Sequence, residues 1–267
     1  MSAGAPTGRG SRRHPDRKVS MAKQSSANRI HSFDFEPGTE LAGKYVVDSR
    51  LGRGWEGEVY LVKERSTGIE RSAKLFFPQR NKANRTVRFY AKKLHKLREC
   101  SVLIQYHTQE TVEHEGFPIT MLVSDYVEGE LLAEFLKRQP GRRMGWFQGL
   151  HLLHGLAAGI EAIHDMGEYH GDLHDENIII NRRGIGFEIK LLDMFHWGRP
   201  SARTIRADVR DLVRLFYDAI GGQRRYAQHP PEIKDVCCGL KASLIHKRYV
   251  TAGELRRYIE TLEWYSR

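Results

Sequence analysis

The sequence predicts an α+β fold of two lobes, in which a small β-rich lobe with one helix precedes a larger, mainly helical lobe. Three observations support this prediction. Apolar and polar residues alternate on both sides of a glycine cluster, one amphipathic helical pattern follows, and after about residue 130 the chain is mostly helical in pattern. With 267 residues and 40% hydrophobic content, the chain can bury one large core or two smaller ones.

The small lobe is predicted over residues 37 to about 127. KYVVDSRLGRGWEGEVYLVKE predicts a strand, a tight turn and a second strand, and GIERSAKLFF predicts a third strand. In NRTVRFYAKKLHKLREC, apolar or aromatic residues at 87, 90, 94 and 97 predict an amphipathic helix with a basic outer face. FPITMLVSDYV predicts a further strand, and the border between the lobes is expected near residues 128 to 130.

The large lobe is predicted over residues 128 to 262. GWFQGLHLLHGLAAGIEAIHDMG has the apolar content of a long, largely buried helix, and Gly167 closes it. The polar loop YHGDLHDENIII runs into a short strand, and FEIKLLD predicts the next strand after the turn NRRG. The remaining residues of this lobe are predicted to be mostly helical.

Positive charge is concentrated at the N-terminus. The net charge is +10, and residues 1 to 30 hold seven Arg or Lys against one Asp. Residues 1–36 are poor in large apolar side chains, so we expect a disordered basic tail. Such a tail favours weak contact with anionic surfaces. Because it lacks interleaved aromatic residues or a recognisable module, no specific nucleic acid partner is expected.

Other sequence features limit the cellular setting. No window approaches 18 consecutive apolar residues, and the N-terminus lacks an apolar run of signal-peptide length. We therefore expect no membrane span and a cytoplasmic location. The cysteines Cys100, Cys237 and Cys238 are an odd number, and the last two are adjacent in a helical pattern. We interpret all three as reduced core residues.

Glycines and one lysine of the small lobe form a candidate phosphate site. Gly52, Gly54 and Gly57 lie in the turn between two predicted strands, where residues without a β-carbon let backbone N–H groups approach phosphates. A strand follows this turn, which excludes a Rossmann turn and a P-loop. Lys74 in the next strand can reach phosphate oxygens. Glycines that merely form a turn, and a lysine that merely faces solvent, are the ordinary alternatives.

Polar residues of the large lobe form a second candidate group. Asp172 and Asn177 lie in the loop YHGDLHDENIII, and Asp193 ends the strand of IKLLDMF. A carboxylate such as Asp193 is suited to a magnesium ion that bridges phosphates. Asp172 and Asn177 could instead only cap their own loop through backbone hydrogen bonds.

The order of these motifs resembles that of the protein kinase family, over residues 37 to 262. LGRGWEGEVY matches the glycine-rich pattern G-x-G-x-x-G-x-V, SAKL resembles the strand that carries the phosphate-binding lysine, and HGDLHDEN is similar to the catalytic loop. The resemblance implies a two-lobed kinase fold with an antiparallel sheet and one helix in the N-lobe. It also implies ATP and Mg²⁺ as cofactors and a protein as substrate.

The resemblance further implies a role for each site residue. Lys74 contacts the phosphates, Asp172 accepts the proton of the attacking hydroxyl, and Asn177 and Asp193 hold magnesium. In the N-lobe, Gly52, Gly54 and Gly57 cover the phosphates and Val59 faces the adenine. LVSDYVEGELL resembles the segment joining the lobes, in which the backbone of Asp125 to Val127 bonds the adenine and Glu130 reaches the ribose.

Several residues depart from the family pattern. Gly171 stands where many protein kinases have arginine, which makes regulation by a phosphorylated activation loop unexpected. His174 and the HGDLH run are similar to small-molecule phosphotransferases. Asp193 is followed by Met-Phe, and only 14 residues separate it from Asp208, whose helix resembles the one that braces the catalytic loop. The platform for a protein substrate is thus shortened.

A further departure concerns the lysine. No Asp or Glu lies between Arg71 and Arg98, so the predicted helix has no glutamate to pair with Lys74, and Asp193 is a candidate partner. Three functions remain open. The first is transfer of the γ-phosphoryl group of ATP to Ser or Thr of a protein. The second is the same transfer to a small molecule, and the third is a pseudokinase that binds partners or nucleotide without turnover.

Overall fold

The N-terminal lobe is built on one six-stranded antiparallel sheet in the order β1-β2-β3-β4-β6-β5. The computed structural model describes residues 29–184, 186–194 and 198–264. The six strands are β1 Glu40–Leu41, β2 Tyr45–Arg53, β3 Gly57–Glu64, β4 Glu70–Phe76, β5 Tyr106–His114 and β6 Phe117–Asp125. The four predicted strands correspond to β2, β3, β4 and β6.

Helix α1, Arg85–Lys96, is the α-helix of the N-terminal lobe in the described ranges. Its buried residues Val87, Tyr90 and Leu94 pack against Phe76 and Leu122 of the sheet. Leu97, just after the helix, belongs to the core of the other lobe. The apolar spacing therefore predicted the buried face of α1 correctly. Its last predicted position, Leu97, lies where the two lobes meet.

The first described residues already belong to this lobe. Ile30 and Phe33 are buried in the core of the sheet, and the Phe33 ring stacks on Phe77 with centroids 5.2 Å apart. Fully buried Glu58 of β3 accepts hydrogen bonds from the Phe33 N–H at 3.2 Å and from the Ser32 hydroxyl at 3.0 Å. The folded lobe thus starts before the predicted boundary at residue 37, because two apolar side chains and a buried carboxylate fix this segment. Residues 1–28 of the predicted tail lie outside the described residues.

The C-terminal lobe is mainly helical, as predicted. It contains α2 Leu132–Arg138, α3 Trp146–Asp165, α4 Ala202–Ala219, α5 Gly222–Tyr226, α6 Pro231–Cys237, α7 Ala242–Arg248 and α8 Ala252–Glu260. Gly167 has φ +67 just after α3, where a residue without a β-carbon ends a helix without strain. Long helix α3 lies at the centre of the lobe and packs against α4 and α8.

A small antiparallel sheet lies where the C-terminal lobe begins, in the order β7-β8-β9. Its strands are β7 Glu130–Leu131, β8 Ile178–Arg183 and β9 Gly186–Leu191. Strands β8 and β9 are the two that the sequence predicts, and the pair Ile178↔Leu191 closes their ladder beside the polar loop. The hairpin therefore places Asn177 and Asp193, which flank it, at the same end.

Strand β5 is not predicted by the sequence. It is the edge strand of the sheet, and in YHTQETVEH only Val112 is buried. A strand that buries a single residue lacks the apolar alternation on which such a prediction depends. The two-residue strands β1 and β7 are too short to leave any pattern.

The three cysteines agree with the prediction. Cys100, Cys237 and Cys238 are free and buried. In the described part of the chain, every helix is too short or too polar to cross a membrane.

Candidate active site

The candidate site lies in the cleft between the two lobes. The N-terminal lobe contributes the β2–β3 turn and Lys74 of β4. The C-terminal lobe contributes the loop before β8 and the residues after β9. Lys74 Nζ donates to Asp193 Oδ1 at 2.7 Å, and this ion pair joins the two lobes across the cleft.

The three predicted glycines have different environments. A β-carbon on Gly52 or Gly54 would meet nothing within 4 Å, and the Gly54 N–H donates to the Gly57 carbonyl at 2.9 Å. A β-carbon on Gly57 would lie 1.8 Å from the carbonyl oxygen of Leu75. Gly57 is thus required for the close approach of β3 to β4. Val59 is paired directly with Lys74 in the ladder, so the two side chains share the face of the sheet on which the lysine lies.

Lys74 contacts two carboxylates among the described residues. Besides Asp193, which the sequence suggests, the Glu56 carboxylate lies 3.3 Å from Lys74 Nζ. Glu56 belongs to the β2–β3 turn, and its side chain is only 13% exposed. Burial raises the pKa of Glu56, and the positive charge of Lys74 opposes this shift. The sequence signal for Glu56 is weak, since a carboxylate in a glycine-rich turn usually faces solvent.

Helix α1 faces Lys74 with an aromatic residue. The Lys74 ammonium lies 5.4 Å from the centre of the Tyr90 ring, and the Tyr90 hydroxyl donates to Asp193 Oδ1 at 3.4 Å. Burial raises the pKa of Tyr90 well above its usual value, and the negative charge of Asp193 adds to this shift. The helix therefore contributes a ring and a neutral hydroxyl where a glutamate is absent.

Asp208 of α4 holds the polar loop in place. Its carboxylate is fully buried and accepts hydrogen bonds from the backbone N–H of His170 at 2.8 Å and of Gly171 at 2.7 Å. His164 Nε2 lies 3.0 Å from the same carboxylate. Gly171 has φ +80, which glycine adopts at little cost. The predicted bracing helix thus contacts the loop through one carboxylate.

His170 connects the loop to the end of β9. Its Nε2 lies 3.0 Å from the Leu192 carbonyl oxygen, and its Nδ1 accepts from the Asp172 N–H at 3.3 Å. This arrangement requires the neutral ring with its proton on Nε2. Burial lowers the pKa of His170 from 6.5 to about 4, which keeps the ring neutral at pH 7. His170 therefore braces the polar loop against the residue that follows β9.

Asp172 presents a carboxylate to the cleft. Its side chain is 53% exposed. Asn177 Nδ2 donates to the Asp172 carbonyl at 3.0 Å and to Asp172 Oδ2 at 3.2 Å, and it contacts His174 Nε2 at 2.8 Å. These contacts fix the carboxylate while leaving it open to a hydroxyl group. The amide contacts also leave Asn177 Oδ1 as the atom available to a cation.

Asn177 and Asp193 are suited to magnesium. The Leu192 N–H donates to the Asn177 carbonyl at 2.9 Å, which brings the two side chains to one end of the hairpin. Asp193 has φ +45, a conformation that a non-glycine residue adopts at a cost and that clusters at functional sites. In the described ranges no cluster of three or more His, Cys, Asp or Glu could hold a metal. Two oxygen ligands suit Mg²⁺, which keeps waters and shares phosphate oxygens.

The segment joining the lobes is partly occupied by protein contacts. The Asp125 N–H donates to the Gln105 carbonyl at 3.0 Å, and its carboxylate accepts from Arg71 at 2.9 Å. The hydrogen bonds of the described residues leave the Val127 backbone unused. Glu130, predicted to reach a ribose, forms an ion pair with Arg138 of α2. The adenine and ribose contacts of this segment stay predictions.

Comparisons with known proteins agree with the geometry. A family model described as "Protein kinase domain" matches residues 45–206. The serine/threonine-protein kinase pkn2 of Myxococcus xanthus is 34% identical over 184 residues, which are 68% of this chain and 21% of that protein. The titin homolog of Caenorhabditis elegans is 27% identical over 65% of this chain and 1% of its own length. The chain therefore spans about a fifth of the first relative and about a hundredth of the second.

A solved structure shows the same architecture. The PknI kinase domain of Mycobacterium tuberculosis, determined as a double mutant, superimposes with a TM-score of 0.59 at 19% sequence identity. The match covers 85% of this chain and 97% of that domain.

Proposed function

The chain belongs to the protein kinase family, and from this premise we propose that it transfers the γ-phosphoryl group of ATP to Ser or Thr hydroxyls of a protein, with Mg²⁺. The observation that carries the proposal is the ion pair between Lys74 and Asp193, which joins the lobes next to the loop of Asp172 and Asn177. Phosphoryl transfer requires this combination of a cation for phosphate oxygens, metal ligands and a carboxylate for the hydroxyl.

The N-terminal lobe is assigned to the nucleotide. The backbones of Gly52 and Gly54 can approach the phosphates, and Lys74 supplies a positive charge to them. Val59 lies on the same sheet face as Lys74 and is assigned to the adenine. The Val127 backbone and the Asp125 carbonyl are assigned to the hydrogen-bonding edge of the adenine. Glu130 would have to exchange Arg138 for a ribose hydroxyl.

The C-terminal lobe is assigned to the metal and the acceptor. Magnesium, when bound, neutralises phosphate charge, and Asn177 Oδ1 and the Asp193 carboxylate would hold it. Asp172 orients the acceptor hydroxyl and takes its proton. The exposed carboxylate suits this task because a group at the mouth of the loop can reach an incoming side chain. Neutral His170 holds the loop in place through its two ring nitrogens and takes no part in proton transfer.

A Ser or Thr acceptor is supported by the likeness to pkn2, which is described as a serine/threonine-protein kinase. The short link between Asp193 and Asp208 leaves a smaller platform for a protein segment, so it does not add support for a protein acceptor. On the likeness to pkn2, a transient protein substrate is proposed as the partner. The basic tail is proposed to make only weak contact with anionic surfaces.

The test is a transfer assay with γ-labelled ATP, Mg²⁺ and a general protein substrate such as casein, beside a panel of small hydroxyl compounds. We expect label on Ser or Thr of the protein. Asp172→Asn should abolish transfer, whereas Glu176→Gln, an exposed carboxylate of the same loop, should leave it unchanged. Label on a small hydroxyl compound alone would instead show a small-molecule phosphotransferase. Nucleotide binding without transfer to any acceptor would show a pseudokinase.

A further inference from the structure

Glu56 is a buried carboxylate that no role in the site yet explains. Its side chain is 13% exposed, and its Oε2 lies 3.3 Å from Lys74 Nζ. No group in the described ranges donates a well-formed hydrogen bond to this buried oxygen. A buried charge without hydrogen bonds is costly unless an opposite charge lies nearby. The lysine is therefore the group that compensates the Glu56 carboxylate.

The backbone of Glu56 is fixed to the strand that carries the lysine. The Phe77 N–H, just after β4, donates to the Glu56 carbonyl at 2.8 Å. The next residue, Gly57, lies against the Leu75 carbonyl and forms the first pair of the β3–β4 ladder with Phe76. The backbone of Glu56 is thus bonded to the end of the strand that carries Lys74. The separation of Glu56 and Lys74 does not depend on where α1 lies.

Helix α1 provides no carboxylate to the lysine. Neither Asp nor Glu occurs between Arg71 and Arg98, and the helix residue nearest the ammonium in the described contacts is Tyr90. Asp193 also pairs with the lysine, but it belongs to the other lobe and is assigned to magnesium. A lysine side chain loses rotamer entropy when it binds phosphate, and an ion pair formed in advance reduces that cost. Glu56 is placed to remove that cost in advance.

We propose that Glu56 is the positioning residue for Lys74, so that the glycine-rich turn supplies the carboxylate that α1 lacks. The inference rests on the proposed function, because a positioned lysine matters only if the cleft binds nucleotide phosphates. In this arrangement the lysine is oriented from within the N-terminal lobe. Movement of α1 relative to the sheet would therefore leave the Glu56–Lys74 pair intact.

The ion pair is tested first in nucleotide-free protein, by thermal unfolding of Glu56→Gln, Lys74→Met and the double variant. Lys74→Met should lower Tm, because it leaves Glu56 buried without a counter-charge. The loss should be smaller when Glu56 is already Gln. The control is Glu64→Gln, a carboxylate at the far end of β3 that pairs with Arg71 at 2.7 Å; its effect on Tm and that of Lys74→Met should be additive. Additive effects of Glu56→Gln and Lys74→Met would overturn the proposal.

The positioning role is tested second by kinetics and rescue. Glu56→Gln should lower kcat/KM for ATP about tenfold, whereas Glu64→Gln should leave it unchanged. Adding Tyr90→Glu to Glu56→Gln places a carboxylate near the present ring centre, 5.4 Å from Lys74 Nζ, and should restore most of the loss. Thermal unfolding checks that the rescue variant is folded.

The outcomes separate the two proposals. Wild-type rates in Glu56→Gln, or rates above wild type, would overturn the positioning role and leave the proposed function standing. If the wild type transfers no phosphate to any acceptor, the proposed function fails. The thermal cycle in nucleotide-free protein then still decides whether Glu56 holds Lys74.

Discussion

Single glycines of the β2–β3 turn serve different purposes at the residue scale. Gly57 faces the Leu75 carbonyl so closely that no β-carbon fits, whereas Gly54 has open space on the corresponding side. Three glycines in one motif therefore do not carry one function. The sequence predicts all three as a phosphate-binding group, and this role stays a prediction; the close approach to Leu75 is a separate packing reason for glycine at position 57.

A matched pair of alanine variants tests this difference. Gly57→Ala should lower the free energy of unfolding by about 1–3 kcal/mol, because the added methyl group pushes β3 away from β4. Gly54→Ala should change it by less than about 1 kcal/mol and should weaken nucleotide binding. Urea unfolding and nucleotide titration measure the two effects. Equal stability of the two variants would contradict the assignment of Gly57 to sheet packing.

The surroundings of Lys74 show how far the sequence could predict the site. Motif order places Lys74, Asp172, Asn177 and Asp193 in one cleft, because each motif has a local pattern. The pairing of the lysine with its carboxylates leaves no local pattern in the sequence, since Asp193 is 119 positions away in the chain. Only Asp193 was suggested, and the burial of Glu56 follows from tertiary packing that no local pattern reports.

At the scale of whole elements, helix α1 is held by the C-terminal lobe. Lys93, only 3% exposed, donates to the Tyr169 carbonyl at 3.1 Å and lies 3.8 Å from the Glu168 carboxylate. Lys96 contacts the same carboxylate at 2.8 Å. Both lysines belong to the basic pattern that the sequence assigns to an outer, solvated face. Lys93 contradicts that assignment, because it turns toward the segment before the polar loop.

Removing the Glu168 charge should therefore loosen α1. Glu168→Gln leaves the buried Lys93 ammonium with the carbonyl and the ring of Tyr169 but without a carboxylate, and we expect a loss of roughly 2–4 kcal/mol in unfolding free energy. Lys92→Gln, on the exposed face of the same helix, should cost less than about 0.5 kcal/mol. Hydrogen exchange of the α1 amides should rise in Glu168→Gln alone. Unchanged exchange there would show that the helix does not depend on this contact.

Some elements were predictable and others were not, for physical reasons. Helices α1 and α3 and strands β2, β3, β4 and β6 bury a regular face, so their apolar periodicity appears in the sequence. Edge strand β5 buries a single residue and leaves no such signal. The start of the N-terminal lobe was missed because Phe33 and Ile30 are isolated apolar residues after a long polar stretch.

For the whole molecule, stability should depend on pH through the buried histidine that braces the loop. His170 has a pKa of about 4 when folded and 6.5 when exposed, so the unfolded chain binds more protons between these values. Its contribution is complete above pH 6.5 and is lost as pH falls toward 4. The loss should reach about 3 kcal/mol. Burial lowers the pKa of His229 as well, which adds a loss of the same sign.

Unfolding by urea between pH 7 and pH 4.5 measures this dependence. The wild type should lose stability steadily over the range, and His170→Gln should start less stable and show a shallower slope. His95→Gln, at an exposed position of α1, should reproduce the wild-type slope. An unchanged slope in His170→Gln would exclude this histidine as the source.

The two-lobed kinase fold is confirmed across the molecule, and its family membership rests on the match over residues 45–206. The cleft between the lobes is where residues far apart in the chain meet. Asp193 contacts both Lys74 and Tyr90, whereas Asp172 contacts only residues of its own loop among the described bonds. The two aspartates are therefore predicted to act at different stages, nucleotide binding and acceptance of the hydroxyl proton.

Calorimetric titration of Mg²⁺ and nucleotide into Asp172→Asn and Asp193→Asn tests this division most directly, together with transfer assays on both variants. Asp193→Asn should weaken nucleotide binding and abolish transfer, because it removes a metal ligand and the partner of Lys74. Asp172→Asn should abolish transfer but keep nucleotide affinity within about threefold of wild type. An equal loss of nucleotide affinity in the two variants would contradict the account of the cleft.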